Sequence, residues 1–348
     1  MGNLRQATND EVANWHDLLT TNPAGGETLQ TRALAAIKSR RGWQPEFMVY
    51  ETSFGNVYTL FLVKKIPQIG RIIYVSRGPG VATIEQWREI CRINRRFLRD
   101  ATLIKTEPPI LKPSVKILPD DLRKVNDIQK HLTNTIILNI DREEAEILAS
   151  FRQRARRSIR GGKREMLRVV DMGFSQEAVD DMWRLYSATA RRAKLKTRSK
   201  KYYRDYWRRF CEHNLGRFFF VYAPDDQRPI AGAFVCYIGD YALYKDGGSR
   251  RDTNKHFSHL LHWRIMQWLR ERGIKKYDLD GTPPSDRLND PTHRLYSLAT
   301  FKMSFGGTVT DFVGAHDQIL NQENYVRWHK IERLARAVLT RTSRRGLY

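Results

Sequence analysis

Cysteine is scarce: Cys91, Cys211 and Cys236 are the only three in 348 residues. Their odd number, wide separation and lack of a CxxC pair argue against a disulfide framework or a zinc ribbon, and they fit a reducing compartment. Long apolar runs are missing too. No stretch approaches the ~20 residues that a spanning helix needs. Met1 to Thr20 holds Arg5, Asp10, Glu11 and Asp17, so a signal-peptide core is absent there. A cytoplasmic protein is expected. Acidic residues are also in short supply, 38 against 61 Lys and Arg, which leaves a net charge of +23. Such an excess costs self-repulsion and points to an anionic partner, whether nucleic acid, anionic lipid or a phosphorylated metabolite.

The pattern of elements comes in two halves with the same order. In the first, helical spacing covers Glu11–Leu19 and Leu29–Ser39. Strands follow at Phe47–Glu51 and Val57–Val63 around a Gly55-Asn56 turn. A third strand, Arg71–Ser76, precedes an amphipathic helix at Ile84–Leu98 and a strand at Thr102–Thr106. In the second half, Asp141 and Glu144 suggest the start of a helix to about Arg160, ended by Gly161-Gly162. Strand Met166–Val170 and helices Gln176–Arg191 and Lys200–Glu212 come next. Strands are expected at Arg217–Tyr222, Ile230–Tyr237 and Tyr241–Lys245, then a helix at Asn254–Arg272 and a strand at Lys275–Asp280. A short helix around Leu295–Ser304 and a strand at Thr308–Val313 close the unit. Antiparallel strands followed by a helix crossing back to another strand is the order of the GCN5-related acyltransferase (GNAT) fold. The expected class is therefore α/β (α+β), two GNAT-like domains in tandem. The expected domains are 1–140, completed by 318–348, and 141–317.

Short motifs run through both halves: Gln30-Thr31, Gly42-Trp43-Gln44-Pro45, Arg77-Gly78-Pro79, Gly247-Gly248-Ser249, Tyr277-Asp278-Leu279-Asp280-Gly281, and Phe301-Lys302 before Phe305-Gly306-Gly307. In their order and spacing the chain resembles the Fem family, non-ribosomal aminoacyltransferases that build peptidoglycan cross-bridges. The resemblance implies an aminoacyl-tRNA donor and an acceptor that is lipid II or UDP-MurNAc-pentapeptide, with no cofactor and no metal. Helices Gln176–Arg191 and Lys200–Glu212 are too short for a long coiled-coil arm, as in compact members. Many relatives carry an acidic residue after Arg-Gly-Pro; this chain reads Gly80-Val81-Ala82, so no carboxylate base is expected there.

Aminoacyl transfer from an ester to an amine needs positioning, oxyanion stabilisation and help for the leaving ribose hydroxyl. By family position Lys302 sits at the reaction centre, with Phe301 walling it from water. Lys38 and Arg198 are expected to meet the acceptor pyrophosphate. Tyr203, Tyr244 and Arg77 are further acceptor contacts. The densest basic block, Arg152, Arg154, Arg156, Arg157, Arg160, Lys163, Arg164 and Arg168, suits tRNA phosphates. The basic tail, with Lys330, Arg333, Arg336, Arg341, Arg344 and Arg345, suits tRNA or the anionic inner face of a membrane.

His256, His259 and His262 step around a helix and have no acidic partner at ligand spacing, so packed or surface histidines are expected instead of zinc ligands. Gly161-Gly162-Lys163 lacks the remainder of a phosphate loop. Two rival enzyme classes compete with the Fem resemblance. A coenzyme-A-dependent acyltransferase is disfavoured because Ser249–Asn254 lacks a glycine-rich pyrophosphate loop. A tRNA-dependent lipid aminoacyltransferase usually has membrane spans. The non-enzymatic rival is a basic RNA-binding protein on a degenerate acyltransferase scaffold.

Overall fold

A computed structural model describes residues 2–112, 118–119, 121–126, 133–250 and 256–342, with side chains to 335. Two units result: 1–133 with 311–348, and 134–310. The expected segment Arg251–Asn254 and the side chains of Arg336, Arg341, Arg344 and Arg345 lie outside the described residues.

The first unit is built on a sheet of strands β1 (Asn3–Gln6), β2 (Gln44–Thr52), β3 (Gly55–Ile66), β4 (Gly70–Val75), β5 (Ala101–Thr106), β6 (Leu122–Lys124) and β14 (His316–Ile319). Their order is β1-β2-β3-β4-β5-β14-β6. Thr52 pairs with Gly55, so the β2–β3 turn falls on Ser53-Phe54, just before the expected position. Gly55 takes φ 109°, which suits glycine at the first residue past the turn. β4 and β5 are parallel, joined by helix Ile84–Phe97 with a Thr83/Gln86 capping box. That helix seals the core with Trp87, Ile90 and Ile93 against Phe61, Ile73 and Ile104.

The second unit repeats the plan with β7 (Asn134–Asn139), β8 (Arg168–Met172), β9 (Gly216–Tyr222), β10 (Ala231–Ile238), β11 (Tyr241–Ser249), β12 (Lys276–Gly281) and β13 (Thr308–Asp311), in the order β13-β7-β12-β11-β10-β9-β8. Again one neighbouring pair, β11 and β12, is parallel and joined by a helix, here Phe257–Arg270. Trp263, Ile265 and Met266 pack from it onto Phe219, Val235 and Tyr277. The second unit begins at Asn134 and not at 141, because β7 pairs antiparallel with β12 through Leu138↔Tyr277 and Ile137↔Asp278.

Other boundaries move for physical reasons. The helix expected from Arg142 to Arg160 is two helices, Glu144–Ser150 and Gln153–Arg164. Between them Phe151 and Arg152 are extended, and the Arg152 N–H donates to the Ser304 carbonyl at 2.9 Å. Asp141 does not cap; the cap position is Glu143, and its side chain makes no capping bond. Gly161-Gly162 does not end the second helix. A Cβ on Gly161 would sit 2.7 Å from the His256 ring, and one on Gly162 3.0 Å from Leu260. These glycines let two helices approach closely. Helix Leu29–Ser39 shortens to Arg32–Ser39, capped by the Thr31 hydroxyl. Helices Gln176–Arg192 and Lys200–Glu212 have 17 and 13 residues, and no long arm extends from them.

Candidate active site

The register between β11 and β12 covers only Tyr241–Leu243 and Lys276–Asp278. Past that point β11 runs on to Ser249 and β12 to Gly281. Lys302, the last residue of helix Tyr296–Lys302, reaches the end of β12. Its Nζ donates to the carbonyl oxygens of Asp280 at 2.9 Å and Gly281 at 2.7 Å. Lys302 is 4% exposed, and burial lowers its pKa while Asp280 and Asp278 oppose the shift. Asp280 has φ 64°, unusual for a non-glycine residue. The Asp278 carboxylate beneath accepts from the Thr135 hydroxyl, from the Tyr241 hydroxyl at 2.5 Å and from the Asp280 N–H at 2.6 Å. Burial raises the Asp278 pKa and those hydrogen bonds counter it.

His262 draws the neighbouring rings together. Its Nδ1 lies 3.0 Å from the Tyr277 hydroxyl, and its ring lies 4.7 Å from Tyr244 and 5.7 Å from Phe301. Phe301 also packs on His259 at 4.8 Å and Phe305 at 5.4 Å. Burial pushes the His262 pKa down to about 3 and that of His259 to about 4, so both rings are neutral near pH 7. The structure thus gathers Lys302, Phe301 and Tyr244 around a histidine that sequence spacing identified only as packed or exposed. Among the described residues no group of three His, Cys, Asp or Glu side chains converges as a metal site.

Glycines let this region pack closely. A Cβ on Gly247 would lie 1.5 Å from the Tyr244 hydroxyl, and one on Gly248 2.4 Å from the Leu185 backbone. Helix Gln176–Arg192 therefore lies directly on β11, and its end is tied there by Arg192, which donates to the Ser249 carbonyl at 2.7 Å. Tyr203 of the adjoining helix brings its hydroxyl 2.7 Å from that of Tyr186, and burial raises the pKa of both. Arg198 lies in the loop before that helix, its guanidinium 5.6 Å from the Tyr202 ring.

Lys38 and Arg77 belong to the first unit. Lys38 is 8% exposed near the end of helix Arg32–Ser39. Arg77 is a further acceptor contact expected from the sequence. It is 5% exposed, its Nε donates to Glu27 at 3.2 Å, and its guanidinium lies 4.4 Å from the Phe312 ring. A buried arginine engaged in this way holds the fold of its own unit.

The basic block divides by face. Arg152, Arg154, Arg157, Arg160, Lys163 and Arg164 are exposed, whereas Ala155, Ser158 and Ile159 are buried. Arg156 is half-buried and donates to the carbonyls of Ala149 and Phe151, both at 2.9 Å. It closes the end of the preceding helix.

Known proteins resemble this chain in sequence and in fold. The acetyltransferase (GNAT) domain family matches residues 149–286. The chain is 31% identical over 97 residues to the lipid II:glycine glycyltransferase of Staphylococcus haemolyticus (strain JCSC1435), a match covering 28% of this chain and 22% of that one. It is 31% identical over 106 residues to the enzyme of that name from Staphylococcus epidermidis, covering 30% and 24%. The matched stretch spans about a quarter of the length of these curated relatives. The crystal structure of FemX shares the fold with a TM-score of 0.75 at 19% identity, over 93% of this chain and 99% of the other. The structure of L-PGS from Bacillus licheniformis gives a TM-score of 0.54 at 15% identity, over 95% and 98%. The chain is thus similar over part of its length to lipid II:glycine glycyltransferases, and it shares the tandem GNAT fold of FemX.

Proposed function

We propose that this protein moves an aminoacyl group from a charged tRNA to an amine on the stem peptide of a peptidoglycan precursor, lipid II or UDP-MurNAc-pentapeptide. The observation that carries this reading is the buried Lys302 ammonium at the end of β12, close to His262, on which Phe301 and Tyr244 pack. An ammonium has three donors. Two hold the carbonyls of Asp280 and Gly281, and the third serves the reaction. The acceptor nitrogen forms the amide bond and the ester C–O bond breaks. The Lys302 ammonium stabilises the tetrahedral oxyanion, and the proton that the attacking amine gives up is balanced by the one that the departing ribose oxygen takes on. Its lowered pKa makes it a better acid than a solvated lysine.

Support for the substrate class comes from the names of the curated relatives, which are glycyltransferases acting on lipid II. Within the second unit, Arg198 is assigned to the acceptor pyrophosphate, with Tyr203 and Tyr244 as its walls. Exposed Arg152, Arg157, Arg160, Lys163 and Arg164 are assigned to tRNA phosphates.

The test is direct. Pure protein is mixed with each labelled aminoacyl-tRNA in turn, or with labelled acetyl-coenzyme A, against both precursors. Label from at least one charged tRNA is expected on the stem peptide. Transfer from acetyl-coenzyme A alone would overturn the donor assignment, and tRNA binding with no transfer to either precursor would make this a binding protein.

A further inference from the structure

Helix Gln322–Thr342 closes the first unit with two unlike faces. Tyr325, Trp328 and Glu332, three and four residues apart, are buried; Tyr325 and Trp328 meet Ile69, Ile72 and Leu103 of the sheet. The opposite face carries Val326, Lys330 and Leu334 in one line at four-residue steps, with Arg327 and Ile331 in the next. Val326 is 47%, Ile331 43% and Leu334 64% exposed, and they stand among the few large apolar side chains left open in the described residues. Beside them Arg123, His329, Lys330 and Arg333 line an open groove of about 300 Å³ with Tyr325 as its floor. Arg327 pairs with Glu323, but Lys330 and Arg333 stay exposed.

We propose that this face rests on an anionic lipid bilayer, with Val326, Ile331 and Leu334 entering the interfacial layer while Lys330, Arg333 and Arg123 meet lipid phosphates. Exposed aliphatic side chains flanked by cations match both components of such a surface. Charge complementarity favours it over a second copy of this strongly basic chain. Nucleic acid fits less well, because it offers phosphates to cations and flat bases to aromatic rings but little to Val, Ile or Leu. The groove admits a phosphate-bearing headgroup. The inference does not depend on the aminoacyl-transfer reading, since binding is measured with neither donor nor acceptor present.

The probe is co-sedimentation with phosphatidylcholine vesicles, with and without phosphatidylglycerol. The full chain is expected to pellet with the anionic vesicles, less so as salt rises. Ile331→Asn/Leu334→Asn should weaken partitioning roughly tenfold or more. Lys330→Gln/Arg333→Gln should weaken it about fivefold per charge, and only when phosphatidylglycerol is present. All four positions are exposed, and an unchanged melt confirms that the variants fold. Three results would overturn the inference. The protein could fail to pellet, or the apolar variant could pellet like wild type. Alternatively, light scattering could show a dimer that the apolar variant dissociates, assigning the face to a second copy.

Discussion

Lys302 is buried and holds two backbone carbonyls, so its replacement acts on fold and chemistry together. Lys302→Met keeps most of the volume and removes the ammonium. It should cost about 1–3 kcal/mol of stability, because two carbonyls lose their donor. It should also lower single-turnover transfer by ~10²–10³-fold, the scale of losing one oxyanion donor. His262 and His259 are neutral, so neither ring supplies a replacement charge. Near-wild-type transfer by a mutant that melts a few degrees lower would leave Lys302 a purely structural lysine. Lys302 and Phe301 were legible only through the family resemblance; a lysine ending a helix is otherwise ordinary. The role of His262 was not legible, because its partners Tyr244 and Tyr277 come from strands on either side of it in the chain. The sealing of Arg77 was equally hidden, since Glu27 lies fifty residues earlier.

At the scale of elements, helix Gln153–Arg164 shows how one sequence stretch serves two ends. Its buried side, with Ala155, Ser158, Ile159, Gly161 and Gly162, lies against helix Phe257–Arg270. Its open side is cationic. Arg157→Ala/Arg160→Ala should therefore leave the melt unchanged while flattening the log–log salt dependence of tRNA binding by about 0.7–0.9 per lost phosphate contact. Arg156→Ala should do the reverse, lowering stability with little change in slope, because its guanidinium serves the Ala149 and Phe151 carbonyls. An unchanged slope in the first variant would place tRNA elsewhere. Periodicity found most helices and the long hairpins because their apolar faces repeat cleanly. It missed β14, whose His316, Asp317 and Gln318 are all under 3% exposed. A buried strand made of polar residues has no apolar alternation, and only its partners across the sheet reveal it. The reading of Gly161-Gly162 as a helix stop failed for a related reason, since the glycines answer to a neighbouring helix and not to the local backbone.

For the whole molecule, the two units differ in how the chain supplies them. The second is nearly contiguous: Asn134 to Asp311 contains all seven strands of its sheet and its own core. The first takes β14 from the far end of the chain and inserts it between β5 and β6. That strand brings Asp317, which accepts from the fully buried Lys105 at 2.5 Å, and the following helix adds Tyr325, whose hydroxyl donates to Asp317 at 3.2 Å. Without 312–348, Lys105 is left as a buried charge without its partner, a loss of about 3–5 kcal/mol. Leu103 and Ile72 also lose the cover of Tyr325 and Trp328. Together these losses approach the roughly 5–15 kcal/mol that holds a typical domain folded. A fragment spanning Asn134 to Asp311 should therefore melt cooperatively and give a dispersed amide spectrum on its own. A fragment ending at Thr133 should do neither until the segment from Phe312 onward is restored. In the full chain, Asp317→Ala should selectively destabilise the first unit, whereas Lys105→Met/Asp317→Leu should recover much of that loss by removing both charges. If the fragment ending at Thr133 folds alone, the C-terminal segment is only an accessory layer; if the 134–311 fragment is unfolded, the second unit depends on the first.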